Sequence, residues 1–569
     1  MRIQKLPILQ FPRVHKLGSQ SVRTITDYQH PPTTHPNNDL FNYTSGRWIY
    51  NEQPRLLERT LPFNIPALKN VIAAASNRPS TSITSLSKLS EGGFNRIIQA
   101  TFKDGRSVLA RLPYPSTQPE HYTVSSEVAT LAYLRQHGFP TPEVYAWCAN
   151  KENPVGAEYI IMEKMEGIPL GEVWYSMTPK EMHKVMRQVV ELETRLMALD
   201  FPACGSIYFR SELPAEEMFP LSGEFCIGPM AHYSWWRGER GDLDIDRGPW
   251  PSPTDIFRAV GERELTWTKL HAKARQPFER LYREIHQFSK ISPDSHIKNL
   301  TDYLKLAPHL GFQPGTPLNR PVLRHPDLQP NNILISDTHE IIGLIDWQHS
   351  SILPLGLAAS MPKHFQNYGD PESDCLRKPQ TDFPSGYDSL SQSEQVVVRE
   401  TLHKRLIHFL YAAFTNRFNN EHYDAIFDSA AILRQRLLES AGAPWEGDSV
   451  SLRAELINTI HAWRELTPLS YSEKDIQDTL SLHAQHQEAD AAMDHMRQIL
   501  NIDIQGWVPN EEYPAARDKA SEIKARMLEA AETPEEVTEI GEQFPFDDFD
   551  EGGLIFTSFL RASRQNLKA

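Results

Sequence analysis

Two acids and an amide near the middle of this sequence have the types and spacing to act together on a phosphate. Asp327 lies five residues before Asn332, and Asp346 follows a second apolar segment directly. A carboxylate can orient an attacking hydroxyl group and accept its proton, while carboxylate and amide oxygens suit the magnesium that neutralises phosphates. His325 completes the spacing His-x-Asp-x-x-x-x-Asn that precedes a metal-binding Asp in kinases. These residues therefore predict phosphoryl-transfer chemistry.

The elements that must position these side chains are the two strands of a β-hairpin. Segments 332–335 and 340–345 are apolar and rich in β-branched residues, and 336–338 between them, Ser-Asp-Thr, is a good turn sequence. Prolines before and after Asp327 should stiffen its loop. Folding the hairpin is expected to gather two carboxylates and a carboxamide around one space. The alternative is an Asx-rich hairpin in which Asp346 makes an ordinary salt bridge.

The sequence around these residues resembles a known family. His325-Pro326-Asp327-Leu328, Asn332-Ile333-Leu334 and Ile345-Asp346-Trp347-Gln348 are similar to the Brenner motif and metal-binding segment of the aminoglycoside phosphotransferase (choline kinase-like) family. The resemblance runs from about residue 45 to about residue 418, and it is closer still to a fungal mitochondrial branch. It implies an α+β, bilobal, protein-kinase-like fold, with a small β-rich N-lobe containing one main helix and a large, mostly helical C-lobe.

The same resemblance implies an activity and a role for each motif residue. The γ-phosphate of ATP would be transferred to the hydroxyl group of a small molecule, whose identity the sequence does not give. Asp327 would orient that hydroxyl and take its proton, Asn332 and Asp346 would hold Mg²⁺, and His325 would fix the loop by hydrogen bonds. After Asp346 the sequence lacks the Asp-Leu-Ala of many bacterial relatives, so the support of the catalytic loop is left open.

Three predicted strands precede the main helix of the N-lobe. Gly92, Gly93 and Phe94 lie between segments 83–86 and 97–102, a strand, glycine turn and strand, and glycines let backbone amides approach a phosphate closely. A Gly-Gly hairpin is more often just a turn. The family places a basic phosphate ligand, usually Lys, near the end of the third strand, 107–112. Arg111 occupies that place.

The predicted helix 122–137 has apolar residues at helical spacing and ends at Gly138. Glu127 lies in its first half, where a kinase has the ion-pair partner of the basic phosphate ligand; the alternative is a solvated glutamate. Segment 158–167 resembles the hinge between lobes. There the backbone near Glu163 to Met165 would hold the adenine of ATP.

The C-lobe is expected to open with a long helix. Thr178 supplies its N-cap, and an apolar stripe follows from Met182 to Leu199. The stretch 227–250 is aromatic, rich in proline and loop-like, and it resembles an insertion of the fungal branch expected near 225–260. This insertion could cover the acceptor site or simply buttress the fold. Further helices are predicted at 280–289, 297–306, 402–418 and 424–438.

The N-terminus differs from the rest of the chain. Five basic residues precede the first acidic residue, Asp27, and apolar residues are scattered among them. This composition is typical of a mitochondrial transit peptide over residues 1–30, which would direct the protein to the mitochondrion, in the matrix; the alternative is a disordered basic tail. The five basic residues are Arg2, Lys5, Arg13, Lys16 and Arg23. Residues 31–44 are interpreted as a linker without regular structure.

Three regions are expected after the linker. They are an N-lobe at 45–162, a C-lobe at 163–470 and a helical, acidic extension at 471–569, whose acidic run 547–551 should be solvated.

Composition limits the classes of function that the protein could have. A net charge of -15 argues against a dedicated nucleic-acid binder. No apolar stretch approaches the length of a membrane span, and the four cysteines are too sparse for a disulfide scaffold or zinc site.

The rival class of function is a binding protein. A pseudokinase would keep the fold for scaffolding or regulation in mitochondria, with protein partners unknown. Arg111 favours it, because an arginine fork does not freely replace a compact ammonium group. Retention of Asp327, Asn332 and Asp346 together favours the enzyme. A protein kinase is a third reading, weakened because no Asp-Phe-Gly and no Ala-Pro-Glu signature follows.

Overall fold

The computed structural model describes residues 36–463 and 469–549, so the predicted transit peptide lies outside the described residues. The strands are β1 (Gly46–Trp48), β2 (Ile83–Glu91), β3 (Asn95–Phe102), β4 (Ser107–Pro113), β5 (Val144–Cys148), β6 (Tyr159–Glu163), β7 (Ile168–Pro169), β8 (Ser206–Phe209), β9 (Phe219–Pro220), β10 (Phe225–Gly228), β11 (Pro321–Leu323), β12 (Ile333–Ile335), β13 (Ile341–Leu344), β14 (Ile352–Pro354) and β15 (Trp507–Pro509).

The helices are α1 (Pro36–Phe41), α2 (Glu52–Glu58), α3 (Ile65–Ala75), α4 (Tyr122–Gln136), α5 (Leu170–Val173), α6 (Pro179–Met197), α7 (Asp255–His271), α8 (Arg280–Ile285), α9 (Asp294–Leu306), α10 (Leu355–Ala358), α11 (Pro371–Asp374), α12 (Gln392–Phe418), α13 (Asn420–Phe427), α14 (Ser429–Gly442), α15 (Val450–Ala462), α16 (Glu473–Leu500), α17 (Tyr513–Ala530) and α18 (Pro534–Gln543). Among these helices, none combines the length and apolar character needed to cross a membrane.

The N-lobe is built on a five-stranded antiparallel sheet in the order β2-β3-β4-β6-β5. Apolar residues of β3 and β4, among them Ile98, Ala110 and Leu112, are fully buried and form one core with Leu68 and Ile72 of α3. The main helix α4 packs on the other side of the sheet and is nearly buried along its length. This sheet positions the glycine turn, Arg111 and the hinge.

The C-lobe is mostly helical and packs around α6 and α12. Thr178 caps α6 through the capping box predicted from the sequence, and Val185, Met186 and Val189 of the stripe are buried in the largest core of the described residues. The predicted catalytic hairpin is present, because β12 pairs antiparallel with β13. The bilobal α+β fold predicted from the sequence is confirmed.

The C-terminal extension packs against the beginning of the described chain. Strand β15 pairs antiparallel with β1, and Val508 is buried with Ile49 and Tyr50 in one apolar cluster. The acidic run was expected to be solvated; in its described part Asp548 is exposed, but it is also hydrogen-bonded. Oδ1 of Asp548 accepts a hydrogen bond from the backbone N–H of Asn51 at 2.6 Å. Pairing a distant segment has given these acids partners that the local sequence does not reveal.

Four local predictions need correction. The linker includes α1, because Pro36 occupies the first helical turn, where proline is favoured. Residues 227 and 228 belong to β10, which pairs with β8 and β9. The helix predicted at 280–289 ends at Ile285, and Gln287 and Phe288 adopt positive φ. The helix predicted at 424–438 is two helices, because the Asp428 side chain accepts from the N–H of Ala431 and caps α14.

Candidate active site

His325 fixes the loop that carries Asp327. Its Nε2 lies 2.9 Å from the carbonyl oxygen of Ile345, and its Nδ1 accepts from the backbone N–H of Asp327 at 3.1 Å. These partners require a neutral ring protonated on Nε2. Burial lowers the pKa of His325, against the opposing effect of the bond to Ile345, and so favours that form. One imidazole thus joins the Asp327 loop to the residue before Asp346.

Asp327 and Asn332 are hydrogen-bonded to each other. The exposed Asp327 carboxylate receives two bonds at Oδ2, from Gln329 Nε2 at 2.5 Å and from Asn332 Nδ2 at 3.3 Å. Among the described residues none donates to Oδ1. The backbone oxygen of Asn332 accepts from the N–H of Ile345 at 3.0 Å. The hairpin therefore holds Asp327, Asn332 and Asp346 together through bonds to Ile345.

Arg111 is the cationic centre of the cleft and is almost fully buried. Strand β4 places its Nη1 3.2 Å from Glu127 and its Nη2 2.7 Å from Oδ1 of Asp346. The same Nη2 donates to Gln348 Oε1 at 2.7 Å, an oxygen that also accepts from Nδ2 of Asn95. One guanidinium group therefore connects the N-lobe sheet, α4 and the residues after the catalytic hairpin.

The two carboxylates that contact Arg111 have pKa values shifted in opposite directions. Burial raises the pKa of Glu127 to about 7, although Arg111 opposes the shift. Burial also acts to raise the pKa of Asp346, but the charge and hydrogen bond of Arg111 outweigh it and hold that pKa below its usual range. Asp346 is therefore ionised at neutral pH. It has positive φ of 65°, and no described residue donates to its Oδ2.

The glycine turn contacts the C-lobe through Phe94. The Phe94 ring is 39% exposed and lies edge-on to His349 with ring centroids 5.0 Å apart. Tyr233 of the aromatic insertion contacts both rings, at 5.7 Å from Phe94 and 5.6 Å from His349. Gly93 has open space where a side chain would begin. The insertion therefore touches the turn predicted to close over phosphates.

The predicted hinge follows β6. The Glu163 side chain accepts from the N–H of Glu143 at 3.0 Å, so it is used to join β6 to the start of β5. Met165 lies against the catalytic hairpin, because a Cβ built on Gly343 would be 3.1 Å from its sulfur atom. Gly167 has φ of 95° and ends the hinge before β7. The hinge is thus packed directly on the hairpin.

A buried network supports the catalytic loop. Arg324 precedes His325, and its guanidinium donates to Glu193 Oε1 at 2.7 Å and to the carbonyl oxygen of Ala358 at 2.7 Å. Tyr411 donates to the other oxygen of Glu193 at 2.7 Å. The sequence left open what supports the catalytic loop in the absence of Asp-Leu-Ala. This network provides that support. The signal in the sequence was Glu193, a charged residue beside the apolar stripe of α6.

Sequence reasoning missed two further residues of the cleft. Gln348 and Asn95 hydrogen-bond across 253 positions of sequence, and both lie next to predicted site residues. In the sequence Gln348 stands out only as part of a motif. No local pattern marks Asn95, which follows the glycine turn. The predicted site residues lie around one cleft, and the roles predicted for them stay predictions.

Comparison with known proteins decides the family. The family model described as "Phosphotransferase enzyme family" matches residues 85–356. A subtelomeric hrmA-associated cluster protein of Aspergillus fumigatus is 33% identical over 484 residues, which cover 79% of this chain and 94% of that protein. The chain belongs to the phosphotransferase enzyme family. The match to the family model includes every predicted site residue, from Gly92 to Asp346.

Another relative is similar at lower identity. The protein named "Altered inheritance of mitochondria protein 9, mitochondrial" of Saccharomyces cerevisiae is 24% identical over 582 residues, covering 85% of this chain and 88% of that protein. This similarity bears out the fungal branch predicted from the sequence.

Solved structures also align with the chain. A streptomycin–ATP–APH(2")-IIa ternary complex is 12% identical, with a TM-score of 0.32, 71% of this chain covered and 97% of that chain. The choline kinase LicA of Streptococcus pneumoniae is 12% identical, with a TM-score of 0.28, 74% of this chain covered and 98% of that chain.

Proposed function

We propose that this protein is an ATP- and magnesium-dependent phosphotransferase that acts on a hydroxyl group of a small molecule. The observation that carries the proposal is the linked set of Asp327, Asn332 and Asp346, joined through His325 and Ile345. Phosphoryl transfer depends on positioning and on charge stabilisation more than on covalent chemistry. The hydrogen-bonded loop positions the Asp327 carboxylate, and Oδ1 of that carboxylate accepts no hydrogen bond from a described residue. The loop therefore meets the requirement for positioning.

The donor set suits the proposed cofactors. The amide oxygen of Asn332 and Oδ2 of Asp346 would hold Mg²⁺, a hard cation that takes oxygen ligands. Bound magnesium would neutralise the charge of the phosphates. Arg111 would bind phosphate oxygens, oriented by Glu127, with Gly92, Gly93 and Phe94 closing over them and the backbone at Glu163 to Met165 holding adenine. These residues are drawn from both lobes, as binding in a cleft requires.

Asp327 has a separate task in this proposal. Its free carboxylate oxygen would accept the proton of the acceptor hydroxyl. The hydroxyl oxygen would bond to the γ-phosphorus as the bond from that phosphorus to ADP breaks and ADP leaves. Gln329 and Asn332, both bonded to the other oxygen, would hold the carboxylate in place. The identity of the acceptor is best sought by offering labelled ATP and a library of metabolites to the purified protein.

Magnesium-dependent nucleotide binding is the first test of the proposal. Protein lacking residues 1–30 should be stabilised by ATP with Mg²⁺ and much less by ATP alone, because ligands that bind the native state raise its melting temperature. Asp346→Ala should abolish the magnesium-dependent part. Asp337→Ala, which removes an exposed acid from the turn of the same hairpin, is the matched control. An unchanged shift in Asp346→Ala would count against the metal site.

A second candidate function is a pseudokinase with a scaffolding or regulatory role in mitochondrial maintenance. It is favoured by the 2.7 Å bond from Arg111 to Asp346, which occupies one oxygen of a proposed magnesium ligand with a fixed charge. Under this alternative, Mg²⁺ would add nothing to nucleotide binding. The thermal-shift comparison above therefore distinguishes the two functions.

We also propose a mitochondrial location, in the matrix. Its support is the basic, acid-free composition of residues 1–30 and a relative whose name includes "mitochondrial". A reporter fused to residues 1–30 should enter mitochondria. Replacing the five basic residues with Gln should leave the reporter in the cytosol, and a native segment that fails to direct import would remove the proposal.

A further inference from the structure

A second cluster of chemically capable side chains lies where the C-terminal extension meets the C-lobe. His286 caps the C-terminus of α8, Asp448 precedes α15, and His486 is in the middle of α16. One ligand atom from each of the three lies within 4.8 Å of the other two. Within residues 36–463 and 469–549, no other group of three such residues comes this close.

The two imidazole rings face each other through their Nε2 atoms, which are 3.1 Å apart. Two nitrogens bound to one tetrahedral Zn²⁺ at the usual 2.0–2.1 Å would be roughly 3.3 Å apart. The observed separation is therefore close to the one that an ion requires. The ring of Tyr282 stacks on His486 with centroids 3.8 Å apart and planes 12° apart, which fixes the plane of that imidazole.

Asp448 supplies the third group of the cluster. His486 is 1% exposed, and Oδ2 of Asp448 lies 3.8 Å from its Nδ1. Asp448 accepts from the N–H of Val450 through Oδ1, and Oδ2 is the oxygen on the side of His486.

The chemistry of the three side chains indicates which ion would bind. Imidazole nitrogens with one carboxylate are ligands typical of Zn²⁺, whereas Mg²⁺ and Ca²⁺ prefer oxygen alone.

We propose that His286, His486 and Asp448 bind a Zn²⁺ ion that fastens α16 of the C-terminal extension to α8 and α15 of the C-lobe. With three protein ligands, the fourth position would be taken by water. The site is separate from the phosphotransfer cleft, since its residues belong to other elements. Its role would be to stabilise the folded state, because an ion that binds only the native protein adds its binding free energy to stability.

The test uses the tag-free full-length chain, dialysed against buffer with micromolar Zn²⁺ and then against buffer without metal. Elemental analysis should find about one zinc ion per chain, and Co²⁺ in its place should give the visible absorption bands of a tetrahedral site. His286→Gln and Asp448→Asn should lose the metal. His495 is an exposed histidine on α16, the helix that carries His486. The control variant His495→Gln should retain the metal.

A stability measurement protects the test against variants that misfold. A chelator should lower the melting temperature of wild type and His495→Gln to that of His286→Gln, and it should leave His286→Gln unchanged. Zinc no higher than the buffer blank in wild type, or equal zinc in wild type and His286→Gln, would overturn the proposal. The contact would then be a hydrogen bond between two neutral histidines.

Discussion

Arg111 bonds both the helix of the N-lobe and the carboxylate that follows the catalytic hairpin. Its two nitrogens lie 3.2 Å from Glu127 and 2.7 Å from Asp346, and its side chain is 7% exposed. Removing one partner from a buried ion pair is costly, typically about 3–5 kcal/mol, because the other charge stays buried. The side chain is therefore placed to affect both stability and nucleotide binding.

Arg111→Ala should weaken ATP binding by about tenfold or more, since one charge-assisted bond to phosphate contributes roughly 1.5–3 kcal/mol and about 1.4 kcal/mol is one decade. Glu127→Ala should weaken binding less. Because both act through one pair, the double variant should resemble Arg111→Ala and not the sum. Isothermal titration of the three variants checks this, and additive losses would show that Glu127 does not act through Arg111.

At the scale of elements, the hinge and the hairpin meet at a glycine. Gly167 has φ of 95°, and a Cβ there would lie 2.6 Å from Ile342 Cδ1 and 2.7 Å from the carbonyl oxygen of Ile335. Both neighbours belong to the hairpin that carries the site. Gly167 thus lets the chain leave the hinge while lying directly on β12 and β13.

Gly167→Ala should destabilise the protein by more than its backbone conformation alone explains. Gly156→Ala is the matched control, because Gly156 also has positive φ, 78°, but has open space at the Cβ position. Overpacking typically costs about 1–3 kcal/mol beyond the strain that both share. Urea unfolding of the two variants measures the difference in their free energies of unfolding. Equal midpoints would mean that the hinge and the hairpin move apart without loss of stability.

The N-terminus of α4, the helix that carries Glu127, is held by the acid that precedes β6. The N–H of His121 donates to Glu158 Oε1 at 2.8 Å. Burial raises the pKa of Glu158 to about 7, although this bond opposes the shift. Between about pH 4.5 and pH 7 the folded state therefore binds more protons than the unfolded state, so this group's contribution to stability falls as pH rises.

Glu158→Gln keeps the acceptor oxygen and removes the titration. Its melting temperature relative to wild type should therefore increase from pH 5 to pH 8. Melting curves of both proteins at these two pH values test the sign. A difference that stays constant with pH would show that Glu158 titrates normally in the folded protein.

Elements with strong local signals were predictable from the sequence, and contacts between distant elements were not. The hairpin of β12 and β13 follows from a turn between two β-branched segments, and α6 follows from its capping box and apolar stripe. The break at Asp428 was missed because an Asp inside an apolar pattern can either cap a helix or continue one. The bond of Asn95 to Gln348 joins lobes that periodicity cannot relate.

At the scale of the whole molecule, the two ends of the described chain form one structure. Strand β15 pairs with β1, and the segment before β1 bonds to the glycine-turn strand, because Glu91 accepts from the N–H of Thr44 at 2.9 Å. The extension is therefore connected to the N-lobe through the first strand. A sequence pattern could not reveal this pairing, which joins residues more than 450 positions apart.

Val508→Asp should destabilise the protein as a whole. Val508 is fully buried in β15, and a carboxylate placed there without a partner costs several kcal/mol. Val537→Asp is the control, because Val537 is 44% exposed on α18. The melting temperature should fall only for Val508→Asp, and limited proteolysis should then cut within 470–549. Equal melting temperatures would show that β15 contributes little to the fold.

The central claim is that Asp327 acts on the acceptor and not on the nucleotide. The most direct measurement pairs Mg²⁺-ATP affinity with transfer of the labelled γ-phosphate to small molecules of a mitochondrial extract, for wild type, Asp327→Ala and the exposed-acid control Asp337→Ala. The account predicts equal affinities in all three, with transfer lost only in Asp327→Ala. Equal labelling by wild type and Asp327→Ala, or no labelling by wild type that binds Mg²⁺-ATP, would contradict it.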